Sequence, residues 1–239
     1  MADKFVLEVF PLGSLQCNCT ILINETQNKA VVIDPGMGAS QLIARLMAYP
    51  GLEITRIWLT HAHWDHIAGV QELKEWADQQ QKSDIPVHLH PADELLYFGA
   101  KEQVSKWGVP PFEVPPTYSK IKLDDTYPEL PGAKIFYTPG HSPGSCSLYL
   151  NSPYRLKAAS SLFRGLESEG TGFVVSGDVL FRGSVGRTDL WQGSFEQLKD
   201  AIKRRLYTLP GETLVVVGHG PLTSIGQEAE HNQVVRIDS

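Results

Sequence analysis

The sequence predicts a mixed α/β (α+β) fold, with two mixed sheets packed on each other and helices on both outer faces. Three observations carry this reading. The chain opens on hairpin strands, it continues with strands and helices in alternation, and it later shows two buried-strand runs, Phe173 to Ser176 and Leu214 to Val217. Early hairpins do not suit a doubly wound parallel sheet.

Taken in order, Phe5 to Leu12 and Cys17 to Ile23 read as strands around a turn at Gly13-Ser14. Ala30 to Asp34 is a third strand, cut by Pro35-Gly36. Ser40 predicts an N-cap for a helix that presents Leu42, Ile43, Leu46 and Met47. Ile54 to Leu59 is a strand, and Ile67, Val70, Leu73 and Ala77 mark one face of a helix reaching about Gln81. Pro86 to Leu89 is a further strand, and Pro91 suits the first position of a helix. Lys134 to Tyr137 and Cys146 to Leu150 are strands flanking a glycine-proline turn, and Phe195, Leu198, Ile202 and Leu206 define a late helix. Gly99 to Tyr118 and Ser152 to Gly172 lack periodicity and predict irregular segments, the second an insertion at 152–172.

With 239 residues, 42% hydrophobic and 20% charged, the chain predicts one domain over 1–239. A net charge of −6 gives no general drive toward nucleic acid. Cys17, Cys19 and Cys146 make no disulfide framework and point to a reducing compartment. Neither a signal peptide nor a membrane span is legible, so a cytoplasmic enzyme, monomer or homodimer, acting on a small molecule is expected.

The chemistry concentrates in Thr60-His61-Ala62-His63-Trp64-Asp65-His66, a strand-to-helix turn carrying four metal-binding side chains. Imidazole with carboxylate suits zinc, iron or manganese, and the lack of thiolates argues against a closed structural zinc site. A polar loop that happens to be rich in histidine is the bland alternative. Three further strand ends argue against coincidence: His141 after Tyr137, Asp178 after Val175, and His219 after Val217, each with a glycine adjoining. His88, His90 and His231 read as structural or surface residues.

His61-Ala62-His63-Trp64-Asp65-His66 followed by His141, Asp178 and His219 resembles the metallo-β-lactamase fold hydrolases, from about Phe5 to Ile225. The resemblance implies an αββα four-layer sandwich. It implies that His61, His63 and His141 bind one divalent metal, that Asp65, His66 and His219 bind another, and that Asp178 bridges them. Zinc is the expected pair, with iron or manganese as alternatives. Asp34-Pro35-Gly36 resembles the family motif whose aspartate supports the metal loops from behind.

Gly177-Asp178-Val179-Leu180-Phe181, Gly183 to Asp189, and Gly218 to Gly226 look most like the glyoxalase II (hydroxyacylglutathione hydrolase) group, in its short form. The implied reaction is hydrolysis of S-D-lactoylglutathione or a related hydroxyacyl thioester. Two metals lower the pKa of a shared water to about 7, and that hydroxide attacks the carbonyl. Asp65 and Asp178 are the candidate proton acceptors. A thiolate leaving group, with a free-thiol pKa near 8.5, needs no strong general acid.

The sequence runs twenty residues past His219, where longer glyoxalase II enzymes append a helical domain with glutathione-binding basic residues. Substrate contact is therefore assigned to Arg187, with Arg182 as a second candidate; an ion pair between Arg187 and Asp189 is the competing role. The rival readings are a mononuclear-iron persulfide dioxygenase of the same superfamily and a lactonase or other ester hydrolase. A flavo-diiron protein would carry glutamate in place of His63.

Overall fold

A computed structural model describes residues 3–105, 107–158 and 169–237. Strands β1 (Phe5–Leu12), β2 (Cys17–Asn24) and β3 (Lys29–Ile33) pair antiparallel in sequence order. Helix α1 (Ala39–Leu46) leads to β4 (Glu53–Trp58), parallel to β3. Helices α2 (Trp64–Ile67) and α3 (Val70–Gln81) cross to β5 (Val87–Leu89), parallel to β4. Helices α4 (Glu94–Phe98) and α5 (Ala100–Ser105) precede the short β6 (Ser119–Lys120).

The second half pairs β7 (Lys134–Tyr137) with β8 (Cys146–Ala158) and β8 with β9 (Glu169–Gly177), all antiparallel. A small hairpin, β10 (Leu180–Phe181) and β11 (Ser184–Val185), comes next. Helix α6 (Phe195–Ala201) runs on as a π-helical turn to Leu206. β12 (Leu214–Val217) lies parallel to β9, β13 (Thr223–Ser224) returns beside it, and α7 (Ile225–His231) follows.

Side-chain alternation along β1 explains the layering. Phe5, Leu7 and Val9 join a core with Leu148, Phe173, Val215 and Leu198, which come from the second half. Val6, Phe10 and Leu12 join the other core, with Leu42 of α1 and Val70, Leu73 and Ala77 of α3. One face of the first leaf thus meets the second leaf, and the opposite face meets helices. The two expected sheets are two leaves of one hydrogen-bonded ladder, ordered β13-β12-β9-β8-β1-β2-β3-β4-β5-β6 with β7 attached to β8. The join is β8. One edge of β8 pairs with β7 in its first half and with β1 in its second, while β9 pairs along the other edge of both halves, across a register shift between Leu150 and Pro153.

Several local expectations are corrected. Helix α1 starts at Ala39 behind Gly38, whose φ of 109° turns the chain, so Ser40 is not the N-cap. Met47 is exposed rather than packed, and Phe195 is 39% exposed. Gly99 to Tyr118 contains α5, with Val104 buried. Strand β8 extends to Ala158 with Tyr154 and Leu156 inward, and β9 begins at Glu169; only 159–168 of the expected insertion lies outside the described residues. No described helix is long and apolar enough to cross a membrane.

Candidate metal centre

Four strands of the ladder deliver the candidate side chains to a single place through the loops at their ends. The turn after β4 carries His61, His63, Asp65 and His66, and the loops after β7, β9 and β12 carry His141, Asp178 and His219. His61 and His66 are fully buried, and His63, His141 and Asp178 nearly so. All seven expected donors come together. His63 Nδ1 lies 2.8 Å from His141 Nε2, and His66 Nε2 lies 3.2 Å from His219 Nε2. Asp178 Oδ2 is 3.4 Å from His141 Nε2 and 3.6 Å from His219 Nε2, while its Oδ1 is 3.4 Å from His66 Nε2. Asp65 Oδ2 sits 3.1 Å from His219 Nε2.

Hydrogen bonds behind the rings set which nitrogen faces the centre. His66 Nδ1 donates to Asp34 Oδ2 at 2.9 Å, His141 Nδ1 to the Arg187 carbonyl at 2.7 Å, and His219 Nδ1 to the Leu15 carbonyl at 2.9 Å. Thr60 Oγ1 donates to Asp34 Oδ2, so it accepts from His61 Nδ1 at 3.0 Å. The Nε2 lone pairs of these four rings therefore converge. His61 Nε2 and Asp178 Oδ1 are buried with no hydrogen-bond partner. Buried polar atoms are almost always satisfied, so these two ask for a cation. His61, His63 and His141 can offer donor atoms within 4.8 Å of one another, and so can Asp65, His66 and His219.

Electrostatics agree with that demand. Burial, reinforced by neighbouring imidazoles, keeps His61 well below the ordinary histidine value, and burial with His141 beside it holds His63 at about 3. Burial opposes charge on Asp178, but His66, His141 and His219 outweigh it and keep the carboxylate far below its usual range. At His66 burial opposes the proton, yet Cys17, Asp178, Asp65 and Asp34 raise its affinity well above normal. Positive charge is wanted there, and neutral ring nitrogens are aimed at it.

Close packing leaves no slack around these donors. A Cβ at Gly218 would overlap Asp178 Oδ1, which accounts for the glycine before His219. Three supporting residues escaped the sequence reading. Asp93, fully buried, accepts from Ala62 N at 2.9 Å, Ser142 Oγ at 2.8 Å and Gly144 N at 2.6 Å, and so ties the 61–66 turn to the His141 loop. Gln103 bonds Trp64 N and the Ala62 carbonyl from the other side. Asn18 bonds the carbonyls of Val217 and Gly220 around His219. A buried asparagine in an apolar strand was a signal for Asn18; a lone aspartate beside a helix start gave none for Asp93.

The centre forms the floor of a cleft of about 770 Å³. Arg187 lines it, but its guanidinium is held by Asp189 through two 2.7 Å bonds. Arg182 is exposed and does not line the cleft. His88 contacts Arg56 and the Tyr127 ring, and His90 caps the following turn and stacks on Tyr137, so both are structural.

The family model of the metallo-beta-lactamase superfamily matches residues 12–153. The chain belongs to this superfamily. A solved structure named TTHA1623, in a di-iron-bound form, is 36% identical with a TM-score of 0.73, covering 93% of this chain and 97% of that one. BLEG-1, a B3 metallo-beta-lactamase, is 34% identical with a TM-score of 0.75, covering 95% and 98%. Hydroxyacylglutathione hydrolase GloC of Haemophilus influenzae is 28% identical over 234 residues, 95% of this chain and 96% of that protein.

Proposed function

We propose that this protein is a metal-dependent hydrolase cleaving hydroxyacyl thioesters of glyoxalase II type, with S-D-lactoylglutathione as the reference substrate. The observation that carries the reading is the set of seven converging donors, whose ring nitrogens are turned inward by bonds made behind them. His61, His63 and His141 would hold one divalent cation, Asp65, His66 and His219 the second, and Asp178 both. Two such cations supply an activated water and Lewis-acid polarisation of the carbonyl. The donor set suits zinc, iron and manganese alike, and the di-iron neighbour puts iron beside zinc as the ion to look for.

The chain's own residues do the rest. Asp65 and Asp178 both face the cleft, and neighbouring imidazoles hold both as carboxylates, the ionisation state that a cation ligand or a proton acceptor needs. A thiolate leaves without a strong acid beside it. The likeness to the Haemophilus hydrolase supports the thioester as the bond cleaved.

The test is a substrate panel on protein of measured metal content: S-D-lactoylglutathione, other thioesters, a lactone, nitrocefin and glutathione persulfide. Thiol release from the thioesters, unchanged under anaerobic conditions, is expected. Oxygen consumption with the persulfide and no thioester turnover overturns the reading. A second reading, opening of a β-lactam or lactone, is supported by the likeness to BLEG-1 and is separated by the same panel.

A further inference from the structure

Resting on the thioester reading, we infer that this cleft selects an uncharged substrate bearing an aromatic or medium alkyl group, rather than an anionic glutathione conjugate. Its walls come from three separate segments. Leu15 comes from the β1–β2 turn, Leu95, Leu96 and Trp107 from α4 and the stretch after α5, and Leu190 and Trp191 from the loop ahead of α6. Four of these are unusually exposed for their type: Leu95 at 72%, Trp107 at 54%, Leu15 at 44% and Trp191 at 43%. Single exposed apolar residues are ordinary, but several around one concave site are a binding surface. Because they line the cleft whose floor is the donor cluster, an apolar substituent lying on them keeps its reacting carbonyl over that floor.

The charges point the same way. Among the described lining residues, Arg187 is the one cation besides the histidines, and Asp189 already occupies its planar fork. Glu102, on α5, adds a negative charge to the wall. Recruiting Arg187 for a substrate carboxylate means breaking a two-bonded pair, so little is gained over leaving that carboxylate in water. The walls therefore reward apolar area and offer an anion nothing in exchange. In the step itself water attacks, the acyl C–O bond forms, the C–S bond breaks, and the water's proton ends on the departing sulfur.

The test compares D-lactoyl thioesters of glutathione, N-acetylcysteamine and benzyl thiol, with a phenyl-substituted acyl ester of N-acetylcysteamine to place the ring on the other side. On the inference, each aryl ester exceeds the glutathione ester about tenfold or more in kcat/KM, with little salt dependence. Trp107→Ala and Trp191→Ala each raise KM for an aryl ester about tenfold, a larger change than either makes for the N-acetylcysteamine D-lactoyl ester. A preference for the glutathione ester that salt weakens, or aryl KM values unmoved in both variants, overturns it. Calorimetry with uncleavable benzyl and glutathionyl thioethers separates the two readings. If no thioester is hydrolysed yet the benzyl thioether binds more tightly, the thioester assignment fails and the apolar selectivity stands. Tighter binding of the glutathionyl thioether ends the selectivity claim whatever the turnover.

Discussion

Asp93 carries no chemistry of its own, yet three donors from two metal-binding turns depend on its carboxylate. Asp93→Ala would leave Ala62 N–H, Ser142 Oγ–H and Gly144 N–H buried without their acceptor. Each such loss costs about 1–3 kcal/mol, so a fall of about 3 kcal/mol or more in unfolding free energy is expected, with fewer metal ions retained per chain. Urea denaturation with metal analysis checks this, and an unchanged midpoint with full metal content contradicts it. At this scale the donors themselves were legible in the sequence. Histidine or aspartate recurring at four strand ends stands out where any one of them would not, whereas Asp93 and Gln103 act through backbone groups and leave no pattern. Arg187 was legible both as a residue of the site and as a partner for Asp189, and only side-chain geometry decides between the two, in favour of the ion pair.

Elements whose burial has a single period were the easiest to read. Helix α3 shows its buried Val70, Leu73 and Ala77 at helical spacing, and all three are completely covered. Leu73→Ala should therefore cost about 3 kcal/mol, within the usual 2–5 for such truncations. Turnover per folded molecule should be unchanged, because the side chain belongs to the helix-facing core. Urea melts beside rate measurements test it; a loss below about 1 kcal/mol would mean the α3 face is not packed as described. Strand β8 was harder. Tyr154 and Leu156 alternate with exposed Arg155 and Lys157, but Asn151-Ser152-Pro153 ahead of them read as a strand end, and the register shift there joins the two leaves. Helix α5 was hidden by its short length and the prolines after it. Periodicity reports burial on one face and is silent about a bend that moves a strand from one partner to another.

Across the whole molecule, the first leaf, second leaf and flanking helices were predictable from element order, while the continuous ladder was not. Stability should also carry a pH signature away from the metal centre. Burial, with Arg56 alongside, lowers His88 to about 4 from the ordinary 6.5. The folded ring stays neutral where the unfolded ring takes a proton, so its contribution is complete above about pH 6.5 and is lost as pH falls toward 4. The loss amounts to at most about 3 kcal/mol, and His88→Phe should flatten the profile in that window. Denaturation of the two proteins at pH 7 and pH 4.5 provides the comparison, and parallel profiles would contradict the role given to His88.

On the proposed function, seven side chains from four loops build one two-cation hydrolytic centre. Metal content per chain, measured by mass spectrometry on the wild type and on Asp178→Ala, tests it most directly. Two divalent ions per wild-type chain and a loss of at least one in the variant are expected. One ion or none in fully metal-supplied wild type, or two retained without Asp178, would contradict it.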